Sequence, residues 1–94
     1  MIYRVVKLHF QTEKIQDFLG LFDQVVSKVN KQPGCIEMYM TQDINNPEIF
    51  ITHSKWESEI DLNNYRDSEL FLNIWPTIKP WFEKKAEAWS MSLI

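Results

Sequence analysis

The sequence has one cysteine and two glycines, and it lacks any long apolar run. With Cys35 alone, no intrachain disulfide can form, which fits a reducing compartment. No Gly-rich dinucleotide-binding loop is visible. No apolar run approaches the roughly 20 residues that cross a bilayer. The N-terminus M-I-Y-R-V-V-K lacks the basic start and long apolar segment of a signal peptide. We therefore expect a cytoplasmic protein with no membrane partner.

An excess of basic residues is also absent. The formal net charge is -3, so nucleic acid is not an expected partner. The 94 residues form one domain over positions 1–94, and about two-thirds of the unfolded surface becomes buried in a chain of this size. The hydrophobic share of 45% is ordinary for a globular protein.

The first third of the chain predicts a strand followed by an amphipathic helix. Residues 2–10 place apolar side chains on both faces, which is typical of a central strand. Thr12 and Glu13 suit the start of a helix, and Pro33 with Gly34 ends it. The apolar positions between them recur at helical steps: Ile15, Phe18, Leu19, Phe22, Val25, Val26 and Val29.

A hairpin follows. Residues 35–42 alternate between apolar and polar side chains, which predicts a half-buried strand. Residues 43–48 are rich in Asn and contain Pro, as turns are, and residues 49–56 form the next strand.

The stretch from Trp56 to Trp81 predicts two short helices with aromatic side chains directed at the sheet. A shorter helix lies around residues 60–65, and Ser68 is a suitable N-cap for the second. Pro76 and Pro80 kink or stop that second helix. Its apolar face is formed by Leu70, Phe71, Ile74, Trp75 and Ile78.

Residues 88–94 alternate again and predict a fourth strand. The order β-α-β-β-α-β indicates an α+β, ferredoxin-like fold: a four-stranded antiparallel sheet with helices on one face. Apolar side chains on the other face are expected to pack against a second copy. We therefore predict a homodimer in which two sheets meet face to face.

Several sequence segments carry a resemblance to a known family. They are Lys14 with Phe18, P-G-C-I-E-M at 33–38, W-E-S-E at 56–59 and Y-R-D-S-E-L-F at 65–71. With them, essentially the whole chain resembles the antibiotic biosynthesis monooxygenase family of the dimeric α+β barrel superfamily. That superfamily includes oxygenases, haem degraders, isomerases and proteins of no known activity, so the fold does not define the reaction.

The resemblance implies a site without cofactors. The better understood oxygenases of the family use no metal, flavin or haem. By implication, a pocket between sheet and helices binds an aromatic, acidic substrate that, once ionised, gives an electron to oxygen. The protein then supplies a dry pocket, hydrogen bonds and an acceptor for the proton.

The haem-degrading branch of the superfamily has a different pattern. It carries an Asn on the first strand and a Trp and a His ten residues apart on the helices. The corresponding positions here hold an aliphatic residue near Val6, then Tyr65 and Trp75. Haem degradation is therefore not expected, although His9 and His53 leave haem binding by another histidine open.

Two histidines are candidates for chemistry. His53 lies mid-strand and is either a base, for which its unperturbed pKa of about 6.5 is suitable, or a structural histidine bonded to a neighbour or a dimer partner. His9 has no carboxylate at ligand-like spacing, and a metal needs three or four converging ligands. We therefore predict no metal site.

The aromatic helices supply the candidate pocket. Tyr65 and Trp75 have polar groups that need partners and suit a pocket edge, and Phe71 lines the pocket or simply packs in the core. Asn63 or Asn64 either holds a substrate carbonyl or lies on a solvated helix end.

Three further residues are candidates for ion pairing or for packing. Arg4 and Lys7 lie on opposite faces of the first strand. One of them pairs with an acidic substrate, or it forms a salt bridge with a strand carboxylate such as Glu37. Trp56 is expected to join helix to sheet.

Two functional hypotheses follow. The first is a homodimer that oxidises a small aromatic or quinone-like molecule without a cofactor, with His53 as base. The second is a non-catalytic barrel that binds a small molecule. A titratable group within hydrogen-bond reach of the substrate distinguishes them, because only an enzyme needs one.

Overall fold

The computed structural model describes residues 1–94 and contains one four-stranded antiparallel sheet of strand order β2-β3-β1-β4. The elements are β1 Ile2–Phe10, α1 Ile15–Asn30, β2 Cys35–Gln42, β3 Ile49–Trp56, α2 Glu59–Arg66, α3 Glu69–Ile78 and β4 Phe82–Ser92. Short 3₁₀ turns precede α1 and follow α3. The predicted ferredoxin-like α+β fold is confirmed.

The predicted central strand β1 lies between β3 and β4. Val5 is opposite His53 on one side and Trp89 on the other. Because side chains alternate along a strand, the even-numbered residues of β1 face the helices and the odd-numbered ones face away. We call these two sides of the sheet the covered face and the open face.

The core forms where β1, β3, α1 and α3 meet. Phe10 of β1 stacks on Phe18 of α1 with ring centroids 4.1 Å apart, and Phe50 of β3 meets Phe18 edge-on at 5.3 Å. Leu8 and Ile78 complete the buried cluster. Burial of each of these side chains contributes about 1.5–3 kcal/mol to stability, so the cluster holds α1 and α3 against the covered face.

Serine caps start both short helices. The Ser58 hydroxyl accepts a hydrogen bond from the Asp61 amide at 3.1 Å, and the predicted cap Ser68 accepts one from the Phe71 amide at 3.2 Å. Pro76 lies inside α3, which ends two residues later at Ile78.

Thr12 was wrongly expected to cap α1. The helix begins at Ile15 after a 3₁₀ turn and has no side-chain cap. The Thr12 hydroxyl donates instead to the Glu48 carboxylate, which lies before β3.

The loop between α1 and β2 is held against α2. Gly34 has φ +79°, a conformation that favours glycine, and a Cβ at this position would clash with the Asp61 side chain. The Gly34 carbonyl also accepts a hydrogen bond from the Glu57 amide at 2.8 Å. The close approach of α2 therefore requires a residue without a side chain here.

The last strand is longer than expected. It begins at Phe82 rather than at residue 88, and it pairs with β1 along its length with register shifts near His9. Residues 83–87 read E-K-K-A-E and are largely exposed. Charged side chains of this kind are common on an edge strand. Because they show no alternation of apolar and polar residues, the sequence did not indicate a strand here.

The open face carries exposed apolar side chains. Tyr39 is 44% exposed, Trp89 48% and Met91 44%. Such a patch is typical of an interface, and the homodimer stays a prediction. None of the helices has the length and apolar character needed to cross a lipid bilayer.

Candidate functional site

A cavity of about 350 Å³ lies between the covered face and the helices. Twenty residues line it, and 16 of them are hydrophobic. The sheet contributes even-numbered residues such as Val6, Thr52 and Ala88, whereas the helices contribute larger side chains such as Phe22 and Ile74. A mostly apolar cavity with a few polar groups is the usual form of a small-molecule site.

Aromatic rings from α2 and α3 form one wall, and Trp56 of β3 lies behind it. Tyr65 stacks on the fully buried Trp56 at 5.1 Å, and Phe71 meets Tyr65 edge-on at 5.3 Å. Phe71 and Trp75 are nearly parallel, with centroids 5.9 Å apart. Tyr65, Phe71 and Trp75 all line the cavity, so the structure brings these three predicted pocket residues together.

The short helices hold this wall by their buried residues. Leu62 anchors α2 and Ile78 anchors α3, each only 3% exposed. Trp56 joins β3 to α2, as expected: its indole N–H donates to the Ser54 hydroxyl at 2.9 Å while its ring packs against Tyr65.

Tyr65 is a hydrogen-bond donor rather than a base. Burial, followed by the nearby Cys35 thiol, raises the pKa of Tyr65 to about 12. Its carbonyl accepts a hydrogen bond from Ser68, whereas its hydroxyl has no partner in the protein. At neutral pH the phenol is therefore protonated and available to a ligand.

Both arginines of the chain line the cavity. Arg4 extends from β1 and donates from Nη1 to the Ser90 hydroxyl at 2.8 Å. Burial, followed by the positive charge of Arg66, lowers the pKa of the Arg4 guanidinium. None of the four ion pairs in the protein includes either arginine.

Sequence reasoning missed Arg66. The signal was its position four residues after Leu62, which places both side chains on one side of α2. Arg4 was a candidate from the sequence, and the structure places it and Lys7 on opposite faces as expected: Lys7 pairs with Glu87 on the open face at 3.9 Å.

The two predicted asparagines lie outside the main cavity. Asn63 lines a polar hollow beside it, together with Arg66, Asp67 and Phe71. Asn64 is exposed on α2 and lines neither space.

The structure does not bring His53 to the cavity. His53 lies on the open face, where Nδ1 is 2.8 Å from the Tyr3 hydroxyl and Nε2 is 3.0 Å from the Thr41 hydroxyl. Its ring stacks on Tyr39 with centroids 4.7 Å apart. A catalytic role for His53 stays a prediction, and it requires a substrate on the open face.

His9 joins two layers of the fold. Its Nε2 lies 2.9 Å from Glu48 Oε1, and Thr12 donates to the same carboxylate. These hydrogen bonds, that of Thr12 first, lower the pKa of Glu48. No group of three or more His, Cys, Asp or Glu side chains is placed to hold a metal ion.

The fold and the cavity together define a small α+β domain with a mostly apolar interior cavity. The family model described as antibiotic biosynthesis monooxygenase matches residues 1–75, and the chain belongs to this family.

Solved structures with the same fold are numerous. A conserved protein from Methanosarcina mazei Go1 is 29% identical, with a TM-score of 0.90 over 97% of this chain and 91% of the other. An antibiotic biosynthesis monooxygenase is 20% identical, with a TM-score of 0.94 over 100% and 99% of the two chains. A Nitrosomonas europaea protein, proposed to be another, is 15% identical, with a TM-score of 0.93 over 100% and 99%. No curated protein matches the sequence.

Proposed function

We propose that this chain is a cofactor-independent monooxygenase that oxidises a small aromatic or quinone-like molecule. The observation that carries the proposal is the cavity of about 350 Å³ with its wall of Tyr65, Phe71 and Trp75. Flat aromatic rings suit a flat aromatic substrate, because rings in contact gain about 0.5–1.5 kcal/mol beyond the area that they bury.

The reaction needs dioxygen as its only oxidant. An ionised phenol gives one electron to dioxygen, and the two radicals combine into a peroxide at a ring carbon. Cleavage of the O–O bond leaves one oxygen on that carbon as a new carbonyl. The other oxygen leaves as hydroxide with the hydrogen from that carbon, and it forms water with the proton released when the phenol ionised.

The protein would bind and orient the substrate in this scheme. The Tyr65 hydroxyl donates a hydrogen bond to a substrate oxygen, and the apolar lining keeps water from the reactive intermediate. The cavity lining contains no histidine or carboxylate that could act as a base. The substrate therefore loses its phenolic proton to solvent as it binds.

The absence of a base in the cavity lining favours a second candidate function, a non-catalytic protein that binds the same class of molecule. The titratable groups of the lining are Arg4, Tyr65 and Arg66, and neither a guanidinium nor a protonated phenol can take the phenolic proton of the substrate. Turnover distinguishes the two functions.

The test is oxygen uptake with a panel of hydroquinones and polyphenols, using chelator-treated protein. We expect uptake above the autoxidation rate. Tyr65→Phe keeps the ring and removes the donor, so it should lower the rate about 100- to 1,000-fold. His53→Ala is the matched open-face variant and should keep the wild-type rate.

Other outcomes have defined meanings. Absence of uptake with every substrate would overturn the monooxygenase proposal in favour of the binding protein. Uptake that is lost in His53→Ala and kept in Tyr65→Phe would move the reaction to the open face.

The proposal includes a homodimer formed through the open face. The open face has exposed apolar surface at Tyr39, Trp89 and Met91, and a second copy of the chain would cover it. Light scattering should give twice the chain mass of 11.3 kDa. A monomer mass at micromolar concentration would contradict this part of the proposal.

A further inference from the structure

We propose that the ligand of the cavity carries a carboxylate, and that Arg4 and Arg66 together bind it. This inference rests on the proposed function for the identity of the site, and it adds the chemical group that the site selects.

The two kinds of basic residue are distributed unevenly around the cavity. The chain has ten basic residues, of which only Arg4 and Arg66 are arginines, and these two line the same cavity. No lysine lines it. The protein as a whole has a net charge of -3, so the positive cavity is a local feature.

The two arginines also lack an acidic counter-charge in the protein. The cavity lining contains no Asp or Glu, and the ion pairs of the protein all use lysine or His9. Arg4 is half-buried and its one side-chain partner is the neutral Ser90 hydroxyl. Two like charges at one cavity are unfavourable unless an anion joins them.

Asp67 does not supply that anion. It shares the neighbouring polar hollow with Arg66, but the two side chains form no ion pair. Arg66 lines both spaces, and therefore lies where the apolar cavity meets the polar hollow. A ligand with its ring against Trp75 and its acidic group beside Arg66 matches this change from apolar to polar surroundings.

The guanidinium group favours a carboxylate over a lone phenolate oxygen. A carboxylate presents two coplanar oxygens that a guanidinium meets with two parallel hydrogen bonds. A lysine would serve a single point charge equally well. Two arginines with no lysine therefore indicate a planar anion with several acceptor atoms.

The test compares matched acid and amide probes by calorimetry. Benzoate, 2-naphthoate and anthracene-2-carboxylate are each titrated beside the amide of the same ring, which keeps the shape and removes the charge. We expect at least one acid to bind about tenfold or more tightly than its amide, because hydrogen bonds to charged groups are the strong ones. The preference should weaken as salt is added.

Variants assign the preference to the two arginines. Arg66→Gln and Arg4→Gln should each reduce the acid-to-amide ratio toward one, with little change in the affinity for the amide. Lys28→Gln, which removes an exposed charge on α1, is the control and should leave the ratio at the wild-type value. Arg66 is exposed at the end of α2, so its variant should fold even if the Arg4 variant does not.

Equal affinities for acid and amide, a preference that survives both glutamine variants, or failure of all three acids to bind would overturn the inference. The outcome is separate from that of the oxygen-uptake test. Oxygen uptake without an acid preference would contradict the arginine assignment alone. An acid preference without oxygen uptake would contradict the monooxygenase and keep the carboxylate site.

Discussion

Polar side chains on the two faces of the sheet differ in the partners that they have. On the open face they bind one another: His53 is held between Tyr3 and Thr41, and Lys55 lies 3.6 Å from Glu37. On the covered face, two arginines and the Tyr65 hydroxyl have no acidic partner. Satisfied polar groups beside exposed apolar ones suit a protein interface, whereas donors without an acidic partner around a cavity suit a ligand.

The largest expected difference between the faces is in stability. Trp56 is fully buried on the covered face, and Trp56→Ala should lower the free energy of unfolding by about 3–5 kcal/mol, because it removes a large side chain and leaves a cavity. Urea denaturation at fixed protein concentration measures this.

Trp89→Ala is the matched open-face variant. Its side chain is 48% exposed, so we expect a far smaller loss within one subunit and a shift from dimer to monomer. Comparable losses for Trp56→Ala and Trp89→Ala in a monomeric protein would contradict the distinction between the faces.

The next variant tests how the loop at Gly34 holds α2 against the sheet. Gly34→Ala should destabilise the fold by about 1–3 kcal/mol, because it strains the backbone at φ +79° and places a methyl group against Asp61. The thermal midpoint measures this change.

Gly20→Ala provides the control for Gly34. Gly20 lies in α1, where a Cβ would have no other atom within 4 Å, so alanine there should stabilise the helix by up to about 1 kcal/mol. The same sign of shift in both glycine variants would contradict the account of the Gly34 loop.

A smaller effect comes from Glu48, which joins His9 of β1 to Thr12 ahead of α1. These contacts lower the pKa of Glu48 in the folded state. The carboxylate therefore stabilises the fold above the unfolded pKa of about 4.3, and this contribution is lost as pH falls through the lower folded value.

Glu48→Gln tests this contribution. The variant should be less stable than the wild type at pH 7. Its unfolding free energy should also fall less steeply between about pH 5 and pH 3, the range around the pKa of about 4.3 of a free glutamate. Parallel pH profiles for the two proteins would contradict the role of Glu48.

The sequence was sufficient for the element order, because hydrophobic periodicity separates α1 from the strands clearly. The start of β4 was missed because charged residues 83–87 on an edge strand show little alternation. Tyr65, Phe71 and Trp75 were found because large aromatic residues recur at helical spacing.

The positions of His53 and Arg66 relative to the cavity were harder to predict. Alternation separates His53 from Ser54, but only the packing of Phe50 and Trp56 shows which set of side chains the helices cover. Arg66 ends α2, where a basic residue is expected for the helix dipole alone. Its lack of an acidic partner is visible only in three dimensions.

We propose that the ligand binds in the cavity on the covered face of the sheet. The four tryptophan indole N–H signals in an NMR spectrum test it directly, with 2-naphthoate as the added probe. We predict that the signal of Trp75 shifts while that of Trp89 on the open face stays in place. A shift of Trp89 with Trp75 unchanged would contradict the account and place the binding site on the open face.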